Sequence, residues 1–400
     1  MVEKGIKQVL NRPFYYDFSI ENDTIYFPMA GYNALCKGSL LEDKIEIINT
    51  FPNIPLYKWA SYIGIYKFED YLLFSPYNNT DNFCLYDIKH NSFIELENKE
   101  KFHFYSTEIF NKDNILFIVS KYNAGVYRID LHTLKIQCVE SKFITNNAMI
   151  FEILRVNNHI FIPINRQKML LLFDLEKETF QYYNYPLNIS TIYTLCYQHN
   201  QYWITGEDRK LYLWNIESER ALECEFFPEY IRPFYLRKNL FGNSLIDKNI
   251  LWLFPIFTDS ILKYNILTQS FERLLIDGEE ECEKTIEDEL KAGRPFPAKF
   301  GMIKRYNNKV YFVSSKTRIL YELDLTKNEL RPHLFFIDNI YKDHIYPYIE
   351  NEIVKEEKYM DGLNCLLRSL NKHRVIITES ERKKGNSTVY NYVKQKILKK

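Results

Sequence analysis

The stretch Phe83 to Leu96, FCLYDIKHNSFIEL, decides the fold. An apolar-rich run ends on an acid, Asp87. A polar turn follows, and a large apolar residue, Phe93, opens the return run. The pattern of a short polar residue six positions before an apolar one occurs seven times: Ser39/Ile45, Asp87/Phe93, Asp130/Ile136, Asp174/Phe180, Asn215/Ala221, Asn265/Phe271 and Asp324/Leu330. Successive anchors lie 48, 43, 44, 41, 50 and 59 residues apart. A period of this size marks repeated supersecondary units that bury their faces only against their neighbours. Asp or Asn at the anchor closes a strand by hydrogen bonding its side chain to backbone two residues on.

Upstream of each hairpin lies another run rich in branched and aromatic residues, as in Ile115 to Val119 (ILFIV) and Ile250 to Phe254 (ILWLF). Such residues suit a pleated, half-buried surface. A short polar turn precedes each run, for example Lys112-Asp113-Asn114 or Asn307-Asn308, and one more apolar-rich run comes before that turn. Each unit therefore reads as four antiparallel strands, a to d. The expected fold is all-β: a seven-bladed propeller of four-stranded antiparallel blades over 15–339. An N-terminal arm at 1–14 precedes it and a C-terminal helical extension at 340–400 follows.

Over about residues 15–339 the pattern resembles the broad WD-repeat and kelch-like propeller group. Trp214-Asn215 sits where WD repeats carry their Trp-Asp pair, at the end of strand c; Tyr86-Asp87, Phe173-Asp174 and Tyr264-Asn265 are similar. The chain has neither the Gly-His dipeptide of WD repeats nor the Gly-Gly of kelch repeats. The resemblance thus implies an architecture and carries over no family site.

Composition narrows the function. The chain holds 52 basic and 52 acidic residues, so it offers no globally basic surface for nucleic acid. Aromatic content is 16 %, with 32 Tyr and 29 Phe, which suits packing between blades. Only 12 Gly serve the many turns, so Asn and Asp must do much of that work. Seven scattered cysteines with no C-x-x-C spacing point to free thiols and a reducing compartment. Cys36 and Cys84 each lie three residues before an anchor, as small buried strand residues would. With no signal-peptide core and no membrane-span-length apolar run, the expectation is a cytoplasmic protein, bacterial in style.

Two segments depart from the repeat. Residues 277–298 hold an acidic stretch that reads as a helix over 279–291, with a solvated face. After 339, residues 359–373 show apolar residues at helical spacing. Residues 381–400 form a basic amphipathic end, read as a docking helix that contacts a partner or an anionic membrane.

No catalytic, metal or phosphate-binding signature stands out, and no cofactor is implied. The eight histidines do not cluster, and neither a G-x-S-x-G elbow nor a Gly-rich phosphate loop is present. The better signal is topological. The a–b and c–d turns leave one face of the disc and are short. The b–c and d–a loops leave the other and are longer and more aromatic, the usual place for binding. Three b–c loops carry a Tyr-Asn pair: Tyr32-Asn33, Tyr77-Asn78 and Tyr122-Asn123. Arg166, Arg209 and Arg318 stand in the loops of blades four, five and seven, and Trp59 lies in a d–a loop. The expectation is a non-catalytic recognition disc that binds a peptide, protein or glycan through this face, with the tyrosines as an aromatic wall and the arginines as a cationic arc. The rival is an enzyme acting on a sugar or peptide through acids that converge at the central channel.

Overall fold

The computed structural model describes residues 12–13, 15–30, 33–54, 61–77, 80, 82–96, 108–121, 124–142, 150–185, 189–218, 220–231, 240–258, 260–276, 300–314 and 317–335, with only the backbone of Arg166 and Gly301. The expected helix at 279–291, the helical spacing at 359–373 and the basic end at 381–400 lie outside these residues. The chain divides into two compact units, Met1–Tyr341 and Lys342–Lys400, and the described residues all belong to the first.

Among the described residues, twenty-eight strands form seven four-stranded sheets, and in every sheet the strand order follows the chain. All pairings are antiparallel, so each sheet is a blade of the a-b-c-d kind. In blade four, strand a is Leu154–Val156, b is His159–Ile164, c is Met169–Asp174 and d is Thr179–Asn184. First strands lie side by side between blades two and three, four and five, and five and six, and strand a of blade one, Ser19–Glu21, lies against those of blades two and seven. The fold is a seven-bladed β-propeller.

All seven anchors accept a backbone N–H within their turn, four of them from the expected second residue on. Asp130 Oδ1 accepts the N–H groups of His132 and Thr133 at 3.0 and 2.9 Å. Asp174, Asn265 and Asp324 do the same two and three residues on. Asp87 and Asn215 accept from the third residue, and Ser39 Oγ accepts from Glu42. Non-glycine residues take the left-handed backbone region at these turns: Asp43, Asn91, Leu134, Glu178, Gln269 and Asn328 in c–d turns, and Asn22, Asn157 and Asn307 in a–b turns. Asx residues tolerate that region best, which is how a chain so poor in glycine makes so many hairpins.

Cores sit between blades. Seven apolar clusters occupy the seven interfaces; Phe117 and Val126 of blade three, for instance, pack with Ile162 and Leu171 of blade four. Cys36 and Cys84 are buried strand residues, and Trp214 is buried at the end of its strand c.

Among the described residues the ring closes by packing and side-chain bonds, since blades one and seven each own four strands. Tyr15, Phe18 and Phe27 share a cluster with Tyr311, Leu320 and Phe335. His333, fully buried, bonds Asp43 of blade one through Nδ1 at 2.7 Å and faces Glu322 of its own blade at 3.4 Å. Burial alone would raise the Glu322 carboxyl, but bonds from Lys309, Tyr311 and His333 outweigh it and hold it low.

Candidate functional site at the channel mouth

The consecutive antiparallel strands put every b–c and d–a connection on one face of the disc. Of the expected site residues, Tyr32, Trp59, Asn78, Tyr122 and Asn123 lie outside the described residues, and Arg166 is described by its backbone alone.

Asn33 is buried at 2 % exposure. Its Oδ1 accepts Ser61 N–H at 3.3 Å and its carbonyl accepts Phe51 N–H at 3.1 Å, so it joins blade one to the start of blade two. Asn165 acts likewise between blades four and five, with Oδ1 accepting Ile192 N–H at 2.7 Å and the Tyr185 hydroxyl at 3.1 Å. These asparagines shape the loops from beneath. Tyr77 is half-buried, with its ring 6.1 Å from that of Tyr16.

The arginines fall into register by backbone. Ala124, Lys168, Arg209 and Arg318 each stand six residues before their anchor, and each takes a positive φ, between 50 and 61°. Lys168, rather than Arg166, is thus the counterpart of Arg209 and Arg318. Arg166 sits in the short 3-10 turn Asn165–Gln167. Arg209 donates to the carbonyl of Ile231 at 2.8 Å, and Arg318 to that of Arg12 at 3.2 Å. Both side chains brace loops while remaining half-buried.

A second set of residues on the same face went unread in the sequence. Asp17, Glu108 and Glu152 each lie 22 residues before the anchor of their blade (Ser39, Asp130 and Asp174), at the entrance to strand a. Strand a is the innermost strand of each sheet, so its inner edge has no ladder partner. Carboxylates from neighbouring blades cap those inner N–H groups. Asp17 Oδ2 accepts Ile65 N–H of blade two at 3.0 Å, and Oδ1 pairs with Lys304 Nζ of blade seven at 3.0 Å. Glu152 Oε2 accepts Leu195 N–H of blade five at 2.6 Å; its two oxygens take Ser244 N–H and Oγ–H of blade six at 2.8 and 2.7 Å. Lys121 bridges Glu108 and the carbonyl of Phe151, both at 3.0 Å, which links blades three and four.

Asp17 is fully buried, and that burial raises its carboxyl against the opposing pull of Lys304 and the backbone bond from Ile65. Glu152 is also raised, to about 8: burial dominates and Glu108 adds to it, against the three donors. Glu207, in the b–c loop of blade five, goes the other way. Burial would raise it, but Ser190 and Thr191 donate three bonds at 2.6 to 3.1 Å and hold it low.

Aromatic pairs flank the two strongest caps. Tyr16, beside Asp17, meets Tyr77. Phe151, beside Glu152, meets Tyr193 edge-on with ring centres 4.9 Å apart. All four rings are half-buried. Among the described residues no group of three or more His, Cys, Asp or Glu is arranged to hold a metal ion, and no helix is long and apolar enough to cross a membrane.

No protein-family model and no curated protein matches the chain. Solved structures match it by fold. A catalytically inactive virginiamycin B lyase from Staphylococcus aureus with quinupristin is similar at TM-score 0.56 and 13 % identity, over 78 % of this chain and 95 % of that one. YCF48 bound to D1 peptide is similar at TM-score 0.53 and 10 % identity, over 78 % and 92 %. The computationally designed Ika8 protein gives 0.52 and 11 %, over 81 % and 88 %. At these identities the likeness concerns the propeller architecture.

Proposed function

We propose that the chain is a recognition disc of the WD-like and kelch-like kind in the broad sense, binding a peptide, protein or glycan on its b–c/d–a face. The observation that carries this reading is the pair of half-buried aromatic contacts, Tyr16–Tyr77 and Phe151–Tyr193, at the channel mouth. Aromatic area contributes affinity at low entropic cost, while hydroxyls orient a ligand. Asp17 and Glu152 at the mouth are bonded to other blades, which suits a rigid platform. Tyr32 and Tyr122 extend the wall in this proposal, while Arg209 and Arg318 brace the loops of blades five and seven through the carbonyls of Ile231 and Arg12. Balanced charge gives nucleic acid no purchase, and the reading includes a cytoplasmic location. Among the similar folds, one is bound to a peptide and one is a lyase; either activity belongs to that protein.

One observation favours the catalytic rival: a carboxyl raised to about 8 at a channel mouth, Glu152, is suited to general acid chemistry. Peptide and glycan arrays probed with the full chain separate the two. The recognition reading expects retained ligands, chemically unchanged by mass spectrometry, whose retention is lost in Tyr77→Ala and Tyr193→Ala. Turnover that disappears in a folded Glu152→Gln variant establishes the enzyme instead.

A further inference from the structure

Three carboxylates occupy one repeat position, yet they differ in partners. Asp17 holds Lys304 and Glu108 holds Lys121. Among the described residues, Glu152 is bonded by neutral donors alone, the N–H groups of Leu195 and Ser244 and the Ser244 hydroxyl. A carboxylate has roughly four acceptor positions. Three are filled at Glu152, and Oε1 takes a single bond. We propose that the channel mouth beside Glu152 receives a cationic group, the guanidinium or ammonium of a basic peptide side chain. This rests on the reading of the b–c/d–a face as the recognition face, and it names the ligand chemistry of that face.

The surroundings suit such a group. Phe151 precedes Glu152 in the chain, and Tyr193 lies two residues before Leu195, whose N–H reaches the carboxylate. The two rings touch and remain half-buried. An aromatic face beside a carboxylate attracts a cation by both ring quadrupole and charge. Among the described residues, the charged and titratable groups around Glu152 are Glu108 and Lys121 from blade three, the buried Cys196 thiol and the Tyr193 hydroxyl from blade five, and Glu207 beyond Tyr193. Lys121 is held by Glu108 and by the Phe151 carbonyl, so its charge is spent on those neighbours rather than on Glu152.

Burial holds the Glu152 proton up to about 8. An arriving guanidinium stabilises the ionised form and expels that proton. Binding of an arginine peptide should therefore strengthen as pH rises towards 8. Arginine itself does not titrate in this range.

The test is to pan the full chain against a random peptide library, then synthesise the best binder with arginine or with citrulline, its neutral isostere. Winners should carry Arg or Lys. The citrulline swap should weaken binding about tenfold, the scale of one charge-assisted bond. Folded Glu152→Gln protein should lose a similar factor. Wild-type affinity should rise about tenfold between roughly pH 6.5 and 8.5, a trend that needs no variant. Winners without basic residues, tolerance of citrulline, a flat pH profile, or no enrichment at all would overturn the cation site. If such winners still depend on Tyr77 and Tyr193, the recognition face survives and only the ligand class is wrong. If they ignore both tyrosines, the face falls too.

Discussion

Glu152 is the residue on which most rests, and its protonation has a thermodynamic consequence. The unfolded carboxyl releases its proton near the ordinary value of 4.5, while the folded one keeps it up to about 8. Between those values the native state binds more protons, so this group's contribution is full below 4.5, falls as pH rises, and is flat above about 8. Urea melts of wild type should show that downward slope between about pH 5 and 8. Glu152→Gln should flatten it, and an unchanged slope would place the proton elsewhere. Truncation is harsher. Glu152→Ala strands two N–H groups and a hydroxyl, and should cost on the order of 3 kcal/mol. Other single residues are set by backbone geometry. Ala124 sits at φ 52°, where glycine carries no Cβ penalty, so Ala124→Gly should leave stability unchanged or raise it by up to about 1 kcal/mol in the same melts.

Each hairpin is built by its anchor. Asp174 Oδ1 holds two backbone N–H groups at the c–d turn of blade four, and Asp174→Ala should cost about 1–2 kcal/mol, whereas Asp174→Asn, which keeps the acceptor, should cost much less. Gly38, in strand c of blade one (Ala34–Ser39), marks a close approach: an added Cβ would lie 2.8 Å from Ile25 Cγ2 and 3.3 Å from the Phe335 ring, so Gly38→Ala should destabilise by about 1–3 kcal/mol. The anchors were legible because turn chemistry is local: the residue that closes the strand also names the turn. The alternation of branched and aromatic residues made the blades legible for the same reason. The channel caps were not. Asp17 and Glu152 bond to blades that lie 43 to 287 residues away in sequence, and Glu108 reaches blade four only through Lys121, so the closed ring alone brings these contacts together. A signal existed in the shared spacing of 22 residues to the anchor, but it occurs in three blades only, which hides it among ordinary strand-entry acids. Asn33 shows the converse: a Tyr-Asn pair that reads as surface recognition places its Asn beneath the loop.

At the scale of the whole molecule, the caps divide the labour of holding the disc. Asp17 joins blades seven, one and two; Glu152 joins four, five and six; and the Lys121 bridge links three to four. His333 with Asp43, and the aromatic cluster around Phe335, secure the seam where the two ends of the ring meet. Such a platform has little freedom to rearrange, because its seven interblade cores are packed through side chains that touch two blades each. Recognition by a rigid disc then predicts a local footprint. Amide hydrogen exchange of the full chain, with and without the best binder from the peptide library, tests this most directly. Slowed exchange should be confined to the b–c and d–a side, at residues 15–17, 76–77, 150–153 and 191–195, with the a–b and c–d turns unchanged. Protection that falls instead on the c–d turns around Asp87, Asp174 or Asn265, or on the outer strands, would contradict recognition through this face.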